Sequence, residues 1–324
     1  MNAAQDRHAN EKTSPTLRKS RWRRLLPWGL GLGLLTAGAV IVHQHWHQRA
    51  YYYFSTQAHD ADVAGRNVWL PGYRVTIDGK PVKGIDSDLS AIAYDYDHDR
   101  LVGVTNAGAM RVVVISKTGE LLAEYPIHGF EDVEGIAYMG DGLVAVADER
   151  LQQLDIFRLP EQPGQSIEAK DVQFIALDLA PNVHNKGFEG VTYDPLGDRL
   201  FVAKERDPMQ LLEVSGVRAS LAGGKLQVKV KNLTPWLDKR FFGTDISDLH
   251  YDTKTGHLLV LSEESRLIVE FDDQGQVVSF RTLLGGAFGE LKQNTPQAEG
   301  LTMDAEGNLY VVSEPNLFYR FETR

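Results

Sequence analysis

The stretch from Asn185 to Glu205, NKGFEGVTYDPLGDRLFVAKE, has the pattern of a β-hairpin with a carboxylate at each outer end. Its first strand begins at Glu189 and alternates through Val191 and Tyr193, and the Asp-Pro-Leu-Gly segment that follows favours a tight reversal. A second apolar strand returns the chain to Glu205. Because the start of one antiparallel strand lies beside the end of the other, we expect Glu189 and Glu205 on the same edge.

Versions of this hairpin recur along the chain. Their starting residues are 44, 55, 58 and 52 positions apart, which is the spacing of β-propeller blades with about four short strands each. The copies are Ser90–Asn106, Glu134–Asp148, Glu189–Glu205, Ser247–Glu263 and Glu299–Glu314. The repeat predicts an all-β fold, a five-bladed β-propeller that spans about residues 67 to 324.

Further strand candidates complete the predicted blades. Each hairpin is followed by a third strand and the first four by a fourth, whereas the last copy runs out of chain after its third strand. We expect Tyr73 to Asp78 to supply the missing outer strand, because closure of the ring removes exposed sheet edges. Two alternatives remain open: a six-bladed ring with a degenerate blade in Leu151 to Val183, and a β-sandwich built from the same strands.

The chain before the propeller is different in kind. Residues 1–24 hold seven Lys or Arg and two acids, which predicts a basic cytoplasmic tail. Residues 25–42 carry no charge and are long enough for a transmembrane helix, and residues 43–66 predict a juxtamembrane linker. By the positive-inside rule the N-terminus stays in the cytoplasm, so the expected location is a single-pass protein of the bacterial inner membrane with its propeller in the periplasm. A cleaved signal peptide is the alternative, but no convincing Ala-x-Ala site follows Val42.

The charge of the exported part restricts its partners. Beyond residue 50 the chain carries 26 basic and 42 acidic residues, a net charge of about −16. Such an acidic domain is a poor candidate for binding nucleic acid or anionic lipid head groups, and cations are its more natural partners. The chain has no cysteine, which fits an oxidising compartment.

Equivalent positions of the hairpins form rings around the channel of a propeller. The position at the start of the first strand is held by Ser90, Glu134, Glu189, Ser247 and Glu299. The position at the end of the second strand is held by Asn106, Asp148, Glu205, Glu263 and Glu314. Seven of these ten positions are carboxylates, and the hairpin geometry predicts that both rings lie at one mouth of the channel.

Carboxylates crowded in this way repel one another, by about 3 kcal/mol for a pair at about 5 Å and an effective dielectric near 20. The cluster must take up protons, spread into water or hold a cation. An all-oxygen set suits Ca²⁺, whereas no histidine or cysteine occupies a ring position to favour zinc or copper. The predicted metal ligands are Glu134, Glu189, Glu299, Asp148, Glu205, Glu263 and Glu314. The alternative is that these acids cap turns or pair with Arg150 and Arg206.

Three short motifs recur in register: Asp-Leu-Ser-x-Ile from Asp88, Asp-Val-Glu-Gly-Ile from Asp132 and Phe-Glu-Gly-Val from Phe188. Together with the basic tail and the apolar segment, they resemble the SdiA-regulated, YjiK-like family of bacterial membrane-anchored propellers over about residues 67 to 324. The resemblance implies a five-bladed, NHL-repeat-like propeller with a calcium site in the channel and no established activity. The chain is also remotely similar to esterase-like phytases. The fourth copy departs from the Glu-Gly pattern with Ser247 and Asp248.

Two hypotheses of function follow. In the first, a membrane-tethered periplasmic propeller binds Ca²⁺ and serves as a binding or scaffold module for an unknown protein or small-molecule ligand. In the second, the ion serves a calcium-dependent hydrolase, a phosphoesterase or lactonase, in which Arg150 and Arg206 hold an anionic substrate. The sequence contains no Gly-x-Ser-x-Gly motif and no phosphate-binding glycine loop, so a serine triad is unsupported. A third possibility is a water-filled channel in a protein that works through its rim loops.

Overall fold

A computed structural model describes residues 22–56, 66–86, 88–177, 187–223, 225 and 227–323. The chain divides into two compact units, one ending at His47 and the other running from Gln48 to Arg324. The first unit contains α1 (Trp22–His43). Among the described residues, no helix combines the length and the apolar character needed to cross a membrane. The predicted transmembrane helix at residues 25–42 is therefore not confirmed, although these residues lie within α1.

The segment predicted as a linker contains a second helix, α2 (Trp46–Thr56). Tyr52 of α2 is fully buried, and its hydroxyl accepts a hydrogen bond from the backbone N–H of Phe242 at 2.6 Å. The guanidinium of Arg49 donates to the backbone oxygen of Ser265 at 3.2 Å. The part of α2 from Gln48 onward thus packs against the propeller rather than acting as a free spacer. Residues 57–65 of the predicted linker lie outside the described residues.

The strands of the second unit form separate antiparallel blades, which we number along the chain. Blade 1 follows the N-terminal strand β1 (Tyr73–Pro81) and comprises β2 (Leu89–Asp95), β3 (Arg100–Thr105), β4 (Arg111–Ile115) and β5 (Leu121–His128). Blade 2 comprises β6 (Val133–Gly140), β7 (Leu143–Asp148), β8 (Gln153–Arg158) and, after the short β9 (Ile167–Glu168), β10 (Gln173–Ala176).

The remaining blades follow the same plan. Blade 3 comprises β11 (Phe188–Asp194), β12 (Arg199–Lys204), β13 (Gln210–Ser215) and β14 (Lys229–Asn232), with α3 (Val217–Gly223) before its outer strand and α4 (Thr234–Arg240) after it. Blade 4 comprises β15 (Asp248–Asp252), β16 (His257–Ser262), β17 (Leu267–Phe271) and β18 (Val277–Thr282). Blade 5 comprises β19 (Gln297–Met303), β20 (Leu309–Glu314) and β21 (Leu317–Thr323). Single-turn 3₁₀ helices lie at Leu70–Gly72, Ala169–Asp171 and Gly286–Phe288.

The N-terminal strand closes the ring as predicted. β1 lies antiparallel to β21 in a register that runs from Tyr73 opposite Thr323 to Pro81 opposite Leu317. Blade 5 therefore takes its outer strand from the other end of the propeller sequence. This joining of the two ends removes the sheet edge that β21 would otherwise expose.

The described part of the segment considered for a sixth blade, residues 151–177, is divided between two neighbouring blades, and residues 178–183 lie outside the described residues. β9 adds to the outer edge of blade 1 as a parallel strand, with Ile167 opposite Ile127. β10 pairs with β8, with Gln173 opposite Ile156, and becomes the outer strand of blade 2. The described residues thus form five sheets and no sixth one, and the prediction of a five-bladed propeller is confirmed.

The core lies between neighbouring blades rather than in one central cluster. In β16, Leu258 and Val260 pack into the cluster between blades 3 and 4, whereas Leu259 and Leu261 pack into the next cluster toward blade 5. Successive side chains of a strand point to opposite faces of the sheet, and here both faces are covered. This is why the second strand of each hairpin reads as an unbroken apolar run instead of an alternating one.

The closing blade depends on its buried aromatic residues, and Phe321 offers a direct test. Phe321 of β21 is fully buried opposite Val75 of β1, and the guanidinium carbon of Arg281 lies 4.6 Å from its ring centroid. We expect Phe321→Ala to lower the free energy of unfolding by about 3–5 kcal/mol, measured by urea denaturation. Phe174→Ala is the matched control, because that ring is 62% exposed on the outer strand of blade 2. Equal effects of the two substitutions would contradict this description of the core.

Candidate cation site at one mouth of the channel

The hairpin geometry brings the predicted acids of blade 3 together. Phe188 pairs with Lys204 across β11 and β12, and the N–H of Glu205 donates to the carbonyl of Gly187 at 3.3 Å. Glu189 and Glu205 follow these paired residues and lie on the same edge, which confirms the expectation from the sequence. Their carboxylate oxygens come within 4.8 Å of each other.

In the second copy of the hairpin, the ring position at the end of the second strand lies one residue away from the residue that the sequence repeat predicts. Val133 pairs with Asp148 in blade 2 as Phe188 pairs with Lys204 in blade 3, so the ring position that corresponds to Glu205 is Glu149 and not Asp148. The cause is a β-bulge between Tyr138 and Gly140, which adds one residue to the first strand just before the tight turn in which Gly140 pairs with Leu143. The other hairpins have longer turns, and an allowance for the short turn alone places the ring position at Asp148, one residue too early.

Asp148 has a different role in blade 2. Its side chain is fully buried, and its carboxylate accepts hydrogen bonds from the backbone N–H groups of Glu131 at 2.8 Å and Leu151 at 3.1 Å. These bonds hold the connection before β6 and the turn after β7. Asp148 thus caps two backbone segments, which is the structural alternative considered for the ring acids.

Among the residues that the structure describes, two groups of three carboxylates lie at this mouth, and they share Glu149. In each group the three side chains offer oxygens that all lie within 4.8 Å of one another. One group is Asp132, Glu134 and Glu149, and the other is Glu149, Glu189 and Glu205. We call the second group the Glu189 triad. Sequence reasoning found Glu134, Glu189 and Glu205 but missed Glu149, because of the alignment shift, and Asp132, which stands in the Asp-Val-Glu-Gly-Ile motif.

The glycine after each ring glutamate lets neighbouring blades approach closely. A Cβ atom on Gly135 would lie 2.0 Å from the backbone oxygen of Glu189 in the next blade. A Cβ atom on Gly300 would lie 2.8 Å from the backbone nitrogen of Ile92. Only glycine leaves room for backbone at these positions. In each Glu-Gly pair, the glutamate supplies a carboxylate and the glycine leaves room for the neighbouring blade to pack against the strand.

Blade 4 replaces the Glu-Gly pair with Ser247 and Asp248. The Ser247 hydroxyl donates to the carbonyl of Ala298 at 2.9 Å, and the buried Asp248 carboxylate accepts the N–H of Leu301 at 2.7 Å. Both bonds connect blade 4 to blade 5. Burial raises the pKa of Asp248 well above its ordinary value, and backbone hydrogen bonds oppose this rise. The departure from the repeat thus fastens two blades together and leaves blade 4 without a first-strand carboxylate at the mouth.

The electrostatic strain of the mouth is greatest at Glu189. Burial, followed by the nearby charges of Glu205, Glu299, Glu149 and Glu134, raises the pKa of Glu189 well above its ordinary value. Within the described part of the chain, no hydrogen bond to its carboxyl group offsets this effect. A positive charge beside Glu189 would therefore be stabilised by several acids at once.

The pKa values of the ring glutamates in blades 2 and 5 are also raised. Burial raises the pKa of Glu134 to about 8, against hydrogen bonds from Ser90 and Asn106 that lower it. Burial and the charges of Glu314, Glu263 and other acids raise the pKa of Glu299 to about 9. Glu134 and Glu299 therefore favour their protonated form at pH 7 when no cation is present.

Glu263 and Glu314, like Glu299 and Asp148, lie outside both groups of three carboxylates. Burial and the charge of Asp245 raise the pKa of Glu263 to about 7. Burial and the charge of Asp88 raise the pKa of Glu314. Asp245 is a buried acid that sequence reasoning missed, and its carboxylate accepts the N–H groups of Glu263 at 2.9 Å and Glu264 at 3.2 Å. It holds the end of the blade 4 hairpin much as Asp148 holds that of blade 2.

The two arginines of the mouth pair with its carboxylates. Arg150 donates to Asp132 at 2.8 Å, and Arg206 forms ion pairs with Glu205 and Glu264. These contacts raise the pKa of both guanidinium groups. The positive charge of each arginine therefore compensates an acid of the protein itself.

Asn106 occupies in blade 1 the position that Glu149 and Glu205 hold in blades 2 and 3. Its Nδ2 donates to Asp132 at 2.7 Å and to Glu134 at 2.5 Å. Together with Arg150, this amide leaves the Asp132 group well supplied with donors. The Glu189 triad has fewer: Glu149 accepts the N–H of Gly187 at 2.8 Å, and Glu205 has Arg206.

The sequence profile of the SdiA-regulated family matches residues 65–322. The chain belongs to the SdiA-regulated family. Solved structures similar to this family member include a nidogen/laminin complex, with 14% identity over 74% of this chain and 84% of that chain and a TM-score of 0.44. A Bacteroides thetaiotaomicron protein of unknown function has 10% identity over 72% of this chain and 58% of that chain, with a TM-score of 0.46. A luciferin-regenerating enzyme has 14% identity over 77% and 80%, with a TM-score of 0.46.

The raised pKa values predict how the stability of this SdiA-regulated protein varies with pH in a chelating buffer. In the unfolded chain, Glu134 and Glu299 release their protons above about pH 4.5. In the folded protein they keep these protons until the pH reaches about 8 for Glu134 and about 9 for Glu299. Because the unfolded state then binds fewer protons, these groups lower the free energy of unfolding as the pH rises from about 5 to 8. Urea denaturation at about pH 5.5 and 8 measures this fall, and the double variant Glu134→Gln, Glu299→Gln should reduce it. An unchanged pH dependence in the variant would contradict the assignment.

Proposed function

We propose that the Glu189 triad binds Ca²⁺ and that the protein is a calcium-stabilised binding module. The observation that supports this most directly is that the carboxylate oxygens of Glu149, Glu189 and Glu205 lie within 4.8 Å of one another. Calcium binds oxygen ligands at about 2.3–2.6 Å, so oxygens on opposite sides of one ion are up to about 5 Å apart. The triad therefore has the donor type and the span that a calcium ion needs.

The balance of charge favours the Glu189 triad over the Asp132 group. Asp132 already has Arg150 and Asn106 as partners, whereas within the described ranges the charges that act most strongly on the Glu189 carboxyl are those of other acids. A bound divalent cation supplies the positive charge that these acids lack. Glu134 and Glu299 lie close enough to raise the pKa of Glu189, and they add to the negative potential at the ion.

The hydrolase hypothesis receives less support. It needs a cationic side chain at the mouth to hold an anionic substrate, and Arg150 and Arg206 were the candidates. Arg150 is paired with Asp132, and Arg206 with Glu205 and Glu264. An anion would have to compete with these carboxylates, so we propose binding rather than catalysis.

Calcium binding predicts a gain in stability that depends on Glu189. An ion at 100 times its dissociation constant stabilises the folded state by about 2.7 kcal/mol. We therefore expect Ca²⁺ to raise the melting temperature of the chelator-treated protein, and Glu189→Gln to abolish most of this rise. Glutamine resembles the protonated carboxyl group, so the fold of the variant is expected to persist without calcium. Thermal melting followed by circular dichroism, with Ca²⁺ titrated into protein prepared in EDTA, measures both effects.

Glu161→Gln is the matched control for this experiment. It removes the same charge from an exposed position outside the mouth, and it should leave the response to Ca²⁺ unchanged. A melting temperature that does not respond to Ca²⁺ in the wild-type protein would refute the proposed site. Equal responses in the wild-type protein and Glu189→Gln would show that the ion binds at another site.

We further propose that α1 anchors the propeller to the bacterial inner membrane with the propeller in the periplasm. The proposal is supported by the uncharged segment 25–42 and by its exposed apolar side chains, since Trp28, Leu34 and Leu35 are 80%, 74% and 73% exposed. Large exposed apolar surfaces of this kind are stabilised by contact with lipid. The basic residues before residue 25 support the orientation.

Charged residues in α1 test the anchor. We expect the double variant Leu34→Arg, Leu35→Arg to move the protein from the sedimented membranes to the supernatant after an alkaline wash, because a charged side chain in the bilayer costs about 2.5–3.5 kcal/mol. The control Phe174→Arg, Leu196→Arg changes residues of the propeller that are 62% and 85% exposed. That control should stay with the membranes. Sedimentation of all three proteins alike would argue against α1 as the anchor.

A further inference from the structure

The opposite mouth of the channel contains a cavity of about 200 Å³. It lies where the inner strands of all five blades end, and no member of the Glu189 triad lines it. Its walls include Tyr94, Tyr138, Tyr193, His250 and Met303. The channel thus has an acidic mouth at one end and an aromatic cavity at the other.

The cavity exists because one position of the inner strand is small in two blades. This position is held by Ala93, Ala137, Thr192, His250 and Thr302 in blades 1 to 5. The Thr192 hydroxyl accepts the N–H of Tyr251, and the Thr302 hydroxyl accepts the N–H of Tyr94, both at 3.1 Å. Each threonine thus forms a hydrogen bond that connects neighbouring blades. Ala93 and Ala137 make no such bond, and their short side chains leave space.

The tyrosines around the cavity are fixed by hydrogen bonds at the rim. Tyr94 donates to Asp99 at 2.8 Å, Tyr138 to Asp97 at 2.6 Å and Tyr193 to Asp198 at 3.1 Å. Each of these aspartates belongs to a hairpin turn. Because the hydroxyl groups are engaged there, the tyrosines present mainly ring carbons to the cavity.

His250 is the polar group of the inner wall. Its exposed surface lies in the cavity, and its Nδ1 is 3.4 Å from the Thr302 hydroxyl, a long contact. Burial lowers the pKa of His250 to about 4, so the ring is neutral at pH 7 and holds one donor and one acceptor nitrogen. A neutral imidazole among apolar walls can exchange one hydrogen bond with a bound molecule.

The charged residues that also line the cavity are engaged with the protein. Asp252 accepts hydrogen bonds from Thr255, at 3.0 Å from its N–H and 2.6 Å from its hydroxyl. Asp304 accepts from Asn308 at 2.8 Å and from Tyr310 at 2.7 Å, and Lys254 donates to a backbone carbonyl. Because the lining carries Asp252 and Asp304 together with Lys254, a charged ligand of either sign would lose its hydration and meet a like charge as well as an opposite one, which disfavours its entry.

We propose that this cavity binds an uncharged, single-ring molecule with a hydroxyl group, with the ring against the tyrosines and the hydroxyl on His250. Its volume suits such a ligand, because an engineered protein cavity of about 150 Å³ holds benzene. Contact between the ligand ring and the edges or faces of the tyrosines adds aromatic stabilisation. The site does not depend on the Glu189 triad, so its test is independent of calcium.

Phenol serves as the probe ligand for this cavity, and variants in which a larger side chain fills the cavity serve as the comparison. We expect ligand-detected NMR with the full-length protein to show saturable phenol binding that falls at least tenfold in Ala93→Leu, whose larger side chain occupies the space. Ala137→Leu is the second filling variant if the first fails to fold. Ala219→Leu, on the exposed surface of α3, is the matched control and should bind phenol as the wild type does.

The hydrogen bond to His250 has its own test. Leucine keeps much of the volume of histidine but removes both nitrogens, so His250→Leu should weaken phenol binding by about five- to tenfold and leave benzene binding unchanged. Phenol binding that is equal in the wild-type protein and the filling variants would overturn the site. Tighter binding of benzoate or benzylammonium than of benzyl alcohol would overturn the ligand class.

Discussion

The close approach of the five inner strands is the constraint on which the rest of the structure depends. At Gly135 a single added carbon would lie 2.0 Å from a backbone oxygen of the next blade. The inner strands of neighbouring blades belong to separate sheets, so backbone groups at their inner edges need partners other than a sheet ladder. Side chains of the neighbouring blade fill this need: Thr302 accepts the N–H of Tyr94, Thr192 that of Tyr251, and Asp248 that of Leu301. The ring is thus held together by contacts between blades as well as by its closing strand.

The same closeness explains the unusual electrostatics of the acidic mouth. Each Glu-Gly pair sits where blades converge, so the glutamates are brought together by the packing that the glycines allow. Burial is the largest cause of the raised pKa of Glu134, Glu189 and Glu299, and the charges of the other acids add to it. Folding therefore brings these carboxyl groups into surroundings that oppose their ionisation. Protons at low pH, or a cation at neutral pH, relieve the same repulsion.

Much of the fold could be predicted from the sequence because each blade repeats one hairpin. The closing strand, the third strands and the shared edge of Glu189 and Glu205 all follow from the repeat and from antiparallel geometry. What the repeat could not give was local. The β-bulge between Tyr138 and Gly140 shifted the equivalence from Asp148 to Glu149, and the packing of Tyr52 against the propeller depends on tertiary contacts alone. The pairing of Arg150 and Arg206 with nearby acids likewise depends on side-chain positions that no spacing specifies.

The asymmetry of the ring matters more for function than its symmetry. A symmetric ring of five glutamates would favour an ion on the channel axis, but blades 1 and 4 carry Ser90 and Ser247 at that position. The Glu189 triad instead combines Glu149 of blade 2 with Glu189 and Glu205 of blade 3. An ion held there would lie toward one side of the channel and would join two neighbouring blades. Stabilisation by calcium would then act mainly on the contact between blades 2 and 3, where a Cβ atom on Gly187 would lie 2.2 Å from the backbone oxygen of Glu149.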